Sequence, residues 1–149
     1  MIDRFEDAEH SPLNSLEEWE DDVLRRYPEP AADAPGVYHT LARMPDVVVV
    51  EFPFGDPAWE LRYVYYASVH RQRLVNGYSG AFPRGYRTRV ALFQRLGDNA
   101  DAAWRALRDA GTTHVVVHTA AMSETEAAAV QQWLGDHFAV EIARFDGDR

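Results

Sequence analysis

Residues 46–57 read DVVVVEFPFGDP, with four valines in succession between an aspartate and a proline-glycine exit. A strand with one wet face alternates apolar and polar residues. An unbroken apolar run points instead to a strand covered on both faces, as in a parallel sheet between helices. Val47–Phe52 is therefore expected as a buried strand that Pro53-Phe54-Gly55 ends. Asp56, with Pro57 at the first helical position, starts a helix to about Arg71. That helix carries Trp59, Tyr63, Tyr66 and His70 at spacings of three or four.

The flanking sequence repeats this strand-helix rhythm. Gly36–Arg43 reads as a short helix with Val37, Tyr38 and Leu41 inward. Gln72–Asn76 is expected as a second strand, followed by the loop in LVNGYSGAFP, residues 74–83. Tyr86–Leu96 is helix-like, and Asp98 caps a further helix that Gly111 terminates. HVVVH, residues 114–118, is a third strand. Ser123 and Glu126 form a capping box for a helix to His137, and Ala139–Arg144 is a fourth strand. The expected fold is α/β, a mainly parallel sheet of about four strands flanked by helices in a Rossmann-like layered sandwich. It occupies residues 36–149 as a single domain.

Residues 1–35 form an acidic arm or linker that is expected to be partly helical. Ser15–Arg26 suits one helix, with Ser15 as N-cap, Glu18 three residues on, and Leu16, Trp19 and Val23 on one side. PEPAADAP follows as a linker.

The chain has 149 residues, 46% of them hydrophobic and 12% aromatic, enough for a self-supporting core. Without cysteine it has no disulfide, thiolate metal site or cysteine nucleophile. No apolar run approaches the roughly 20 residues needed to span a bilayer. MIDRFEDAEH lacks the apolar core of a signal peptide. Charge is uneven: residues 1–60 carry a net −11, residues 61–95 a net +7, and residues 96–149 a net −5. All 15 basic side chains are arginine, a usage that a GC-rich genome also produces. Guanidinium groups in the middle segment suit a phosphate or carboxylate. A pI near 5.0 argues against nucleic acid as a partner.

A nucleophile turn reads G-x-S-x-G, but Gly80 follows Ser79 directly and Ala81 takes the required glycine's place. The absence of lysine excludes a G-K-[ST] phosphate loop, and no G-x-G-x-x-G occurs. His114 and His118 lie about 13 Å apart along a strand, too far to be neighbouring ligands of one metal. Glu51 and His118 both fall where strands leave the sheet at its carboxyl edge, the ligand-binding rim of open α/β sheets. A hydrogen-bonded rim histidine fits the same position. The Trp59, Tyr63, Tyr65 and Tyr66 cluster suits either a sugar face or a core, and Arg84, Arg87 and Arg89 suit either a phosphate or a solvated face.

Several strings together carry a resemblance: Ala34–Leu41, Val47–Gly55 with its PFGD, Leu74–Gly80 (LVNGYSG), Ala103–Gly111 (AWRALRDAG) and Thr113–His118 (THVVVH). Over residues 34–149 the chain resembles the soluble C-terminal extracytoplasmic domain of bacterial GT-C type integral-membrane glycosyltransferases. These are related to lipid-phosphate-sugar mannosyltransferases. In that family the catalytic acid sits in a loop between transmembrane helices, so the resemblance places no catalytic residue in this chain. It implies a non-catalytic accessory domain, without cofactor or metal, that assists in positioning an acceptor or lipid-linked sugar. Glu51, His118, Tyr78, Ser79, Arg84 and Arg87 are the ligand-binding candidates. The implied partners are a glycan or lipid-phosphate acceptor and the parent protein's membrane domain, at the extracytoplasmic face. Two other readings stand beside it: an independent soluble cytoplasmic α/β hydrolase using Ser79 and His118, and a protein-interaction module whose acidic arm docks a partner.

Overall fold

The computed structural model describes residues 32–77 and 82–145. The Ser15–Arg26 helix and the Tyr78-Ser79 turn expected from sequence lie outside them. The valine run is strand β1 (Val48–Phe52), and all five of its residues are buried. It is the middle of a three-stranded parallel sheet, between β2 (Arg73–Leu74) and β3 (His114–Val117). The register pairs Val49 with Leu74 on one side, and Glu51 with Val116 and Phe52 with Val117 on the other.

Helices flank the sheet. Helix α1 (Gly36–Leu41) and helix α2 (Pro57–His70) bring Tyr38, Leu41, Tyr66 and Val69 against Val47 and Val49. Helices α3 (Tyr86–Phe93), α4 (Ala100–Asp109) and α5 (Glu124–Asp136) bring Phe93, Leu107 and Trp133 against Val48, Val50 and Phe52. Successive strand residues point to opposite faces, so burial on both is what lets the run dispense with polar alternation.

Local signals act as their chemistry dictates. Asp56 Oδ1 accepts from the Ala58 and Trp59 amides at 2.9 and 3.3 Å, and Arg71 ends α2 in the left-handed region at φ 54°. Ser123 and Glu126 form the capping box of α5. Gly111, at φ 75°, takes the chain off α4 towards β3. The cap of α4 is Asn99 rather than the expected Asp98, and it makes no side-chain capping bond. Helix α3 stops at Phe93, because residues 94–98 tighten into turns that still bury Leu96.

Two strands differ from expectation. β2 covers Arg73–Leu74 alone, because the Asn76 side chain does the work of a main-chain partner. Its Oδ1 accepts from the Glu51 amide at 2.7 Å, and its Nδ2 donates to the Glu51 carbonyl at 2.9 Å. The expected fourth strand, Ala139–Arg144, is not one: the sheet has three strands, and these residues are exposed and outside it. The Phe138 and Ala139 amides close the end of α5 on Gly135 and Leu134, with Phe138 at φ 63°. Val140 and Ile142 supply alternation, but strand preference without a packing neighbour does not make a strand.

Candidate functional site

Tyr38, Glu51 and His118 come together from three elements. Glu51 is the fourth residue of β1, and its parity places it beneath α1 and α2. His118 follows β3, and its amide bonds to the Phe52 carbonyl at 2.9 Å, extending the ladder by one step. Its Nε2 lies 2.7 Å from Glu51 Oε2, and the Tyr38 hydroxyl donates to that same oxygen at 2.9 Å. His118 stacks on Tyr63 and Trp59, with ring centroids 5.2 and 5.7 Å away. Burial, then the negative charge of Glu51, pushes the Tyr38 hydroxyl far above the ordinary phenol range, so it remains a donor. The rim location read from sequence is correct, but both side chains are sealed from solvent. Glu51 Oε1 is buried without a hydrogen-bond partner among the described residues.

A second buried carboxylate lies beside this one. Glu60, fully buried on α2, accepts from the Gly55 amide at 2.7 Å, the Gly77 amide at 2.9 Å and Asn76 Nδ2 at 3.1 Å. Tyr86 also bonds to it. Burial raises its pKa, opposed by these hydrogen bonds. Glu60 thus ties the exit of β1 to the start of the glycine loop. Glu60 and Asn76 belong to no motif, and Tyr38 shows in the sequence only as an inward residue of a short helix. The available signal was an acid at the inward α2 spacing shared by Tyr63 and His70.

The surface opening is elsewhere. Gly55, Pro57, Phe82, Tyr86, Arg87 and Val90 line a cleft of about 240 Å³ just past the end of β1. Phe82 stacks on Tyr86 with centroids 4.8 Å apart and planes 14° from parallel. Burial first, then the Glu60 charge and hydrogen bond, push the Tyr86 hydroxyl up to about 12. The cleft is an apolar trough with one cation at its edge. Its chemistry is recognition: an aromatic surface for an apolar or sugar face, and a guanidinium for an anion.

The other residues singled out in the sequence divide. Arg87 reaches the cleft; Arg84 is exposed outside its lining. Arg89 is partly buried, its Nε has no partner among the described residues, and desolvation lowers its pKa. Tyr63 and Tyr66 turn inward onto His118 and Tyr38, while Tyr65 remains exposed. Tyr78 and Ser79 lie outside the described residues. Among the described residues, no three metal-ligating side chains gather and no helix is long and apolar enough to cross a membrane. Comparisons of the chain with family models, curated proteins and solved structures give no match.

Proposed function

We propose that the chain is a non-catalytic accessory domain of a membrane glycosyltransferase-like protein, and that its cleft positions a lipid-phosphate acceptor or lipid-linked sugar. The observation that carries this reading is the cleft itself, an apolar trough at the exit of β1 with Phe82 stacked on Tyr86 and Arg87 at its edge. Open α/β sheets bind ligands at that end of their strands. The sealed state of Glu51 and His118 supports the non-catalytic part, because a base must be within reach of the proton it takes. The alternative hydrolase needs His118 Nε2 for Ser79, and that nitrogen is already engaged by Glu51. The motif resemblance supports the same choice and adds the extracytoplasmic location beside a membrane domain. A Rossmann-like description of the layers belongs to this proposal too.

The test is a titration of the isotope-labelled chain with a short-chain polyprenyl phosphate and, separately, with a soluble glycan. Saturable amide shifts at Gly55, Tyr86 and Arg87 are the expected result. Absence of shifts at these positions with both ligands refutes the binding role.

A further inference from the structure

Helix α2 is uncharged on the side it turns to water. Its exposed residues are Pro57, Ala58, Leu61, Val64, Tyr65 and Ser68, spaced three and four apart so that they share one face. Leu61, Val64 and Tyr65 are 56%, 38% and 44% exposed. The charged residues of the helix lie off this face: Glu60 is buried, and the Arg62 guanidinium sits over the Trp59 and Tyr66 rings. A surface helix turns its polar and charged side to water, so an apolar outward face marks a contact. The face continues into the cleft, which Pro57 lines together with Phe82, itself 46% exposed.

Charge decides what covers it. Residues 71–95 hold six arginines and no acid, in a chain whose net charge is −9. Arg71 follows the last turn of α2, Arg84 is two residues from Phe82, and Arg87 lines the cleft with Pro57; all three are exposed. Arginine therefore stands at both ends of the uncharged face. Asp56, at the start of the helix, is engaged by the Ala58 and Trp59 amides. Two copies meeting through this face would set arginine against arginine whichever way the helices ran. An anionic bilayer accepts both features. Apolar and aromatic side chains enter at the boundary of headgroups and acyl chains, and guanidinium groups meet phosphates. The acidic remainder of the chain is repelled by the same surface, which selects one orientation.

We infer that α2 rests its outward face on an anionic phospholipid bilayer. Leu61, Val64, Tyr65 and Phe82 enter the headgroup layer, and Arg71, Arg84 and Arg87 meet its phosphates. The cleft then opens at the level of the headgroups. The inference stands on the α2 face and its arginines, and it does not depend on what the cleft binds.

Flotation of the full chain with vesicles is the test. Binding is expected to equal parts phosphatidylcholine and phosphatidylglycerol, and it should weaken with added salt and with phosphatidylcholine alone. Leu61→Glu with Val64→Glu should weaken it about tenfold, and Arg71→Gln or Arg84→Gln about fivefold each. Val140→Glu with Ile142→Glu is the control. These residues are 80% and 69% exposed but lie outside the arginine segment, so binding should be unchanged. Every substituted side chain is exposed, and unaltered circular dichroism establishes that the fold is kept. The vesicles contain no polyprenyl phosphate, so the outcome is independent of the titration above. Absence of binding to the anionic vesicles overturns the proposal. So does a loss that follows the Val140 and Ile142 changes rather than those at Leu61 and Val64. A dimer formed without vesicles and abolished by Leu61→Glu assigns the face to a second copy, and the proposal fails.

Discussion

Glu51 Oε2 accepts from both His118 and Tyr38, at 2.7 and 2.9 Å, and none of the three side chains reaches solvent. One oxygen therefore joins α1, the centre of the sheet and the end of β3. Withdrawing it removes the acceptor that these two buried groups share.

Glu51→Ala is expected to lower unfolding free energy by about 3 kcal/mol or more, the usual consequence of breaking one side of a buried polar pair. Glu51→Leu combined with His118→Leu should cost less than the sum of the two single changes, because the lost Glu51–His118 contact is counted once, while the Tyr38 hydroxyl loses its acceptor in the Glu51 change and in the double change alike. Urea denaturation of the four proteins measures the coupling. Additive losses would show that the contact contributes nothing of its own.

His70 gives a pH dependence with a definite sign. It is buried against Tyr38, with ring centroids 5.9 Å apart, and its Nδ1 accepts from the Gln72 amide. Desolvation lowers its pKa, with the nearby Glu51 charge pushing weakly the other way. A lowered folded-state pKa means stability that is complete above the unfolded value of about 6.5 and is lost as pH falls from there. The stability difference between the native chain and His70→Phe should therefore shrink as pH drops from 7 towards 5. A difference that stays constant or widens contradicts this.

Three glycines separate strain from crowding. Gly55 sits at φ 85°, and a Cβ there would lie 2.9 Å from Val90 Cγ1. Gly111 has φ 75° but open space around it. Gly55→Ala should cost about 2–3 kcal/mol, and Gly111→Ala about 1 kcal/mol from the left-handed conformation alone. Gly135 lies within α5 with nothing near its would-be Cβ. Gly135→Ala is expected to stabilise by about 0.5–1 kcal/mol. Thermal melts give the order directly.

Binding at the cleft divides between its two chemistries. Phe82→Ala should weaken any saturable ligand about tenfold, or about 1.4 kcal/mol, whether or not that ligand is charged. Arg87→Gln should weaken only anionic ligands, with the loss shrinking at high salt. Equal effects on neutral and anionic ligands would remove Arg87 from the site.

Much of the architecture was legible because it follows from local patterns. The valine run demanded cover on both faces, Asp56-Pro57 began α2, and Ser123 with Glu126 began α5. Glu51 and His118 could be placed at one rim because each stands where its strand leaves the sheet. What escaped depends on partners distant in the chain. Val140 and Ile142 alternate as strand residues do, but no neighbour buries them. Glu60 resembles any helical acid until its donors, from Gly55, Asn76, Gly77 and Tyr86, are known. The cleft is equally non-local, since Phe82 and Tyr86 meet Gly55 and Pro57 only after β1 has been laid in the sheet.

Asn76 has a consequence for how this chain tolerates change. Its side-chain amide carries the edge of β1 past the main-chain bond from Val75 to Val49, so the pairing ends in a side chain rather than in backbone. A main-chain step accepts almost any residue, whereas this one needs a donor and an acceptor on the same short side chain. The sheet edge thus becomes sensitive to sequence at one position, and Asn76 is where a conservative change such as Asn76→Asp would be felt by both Glu51 and Glu60.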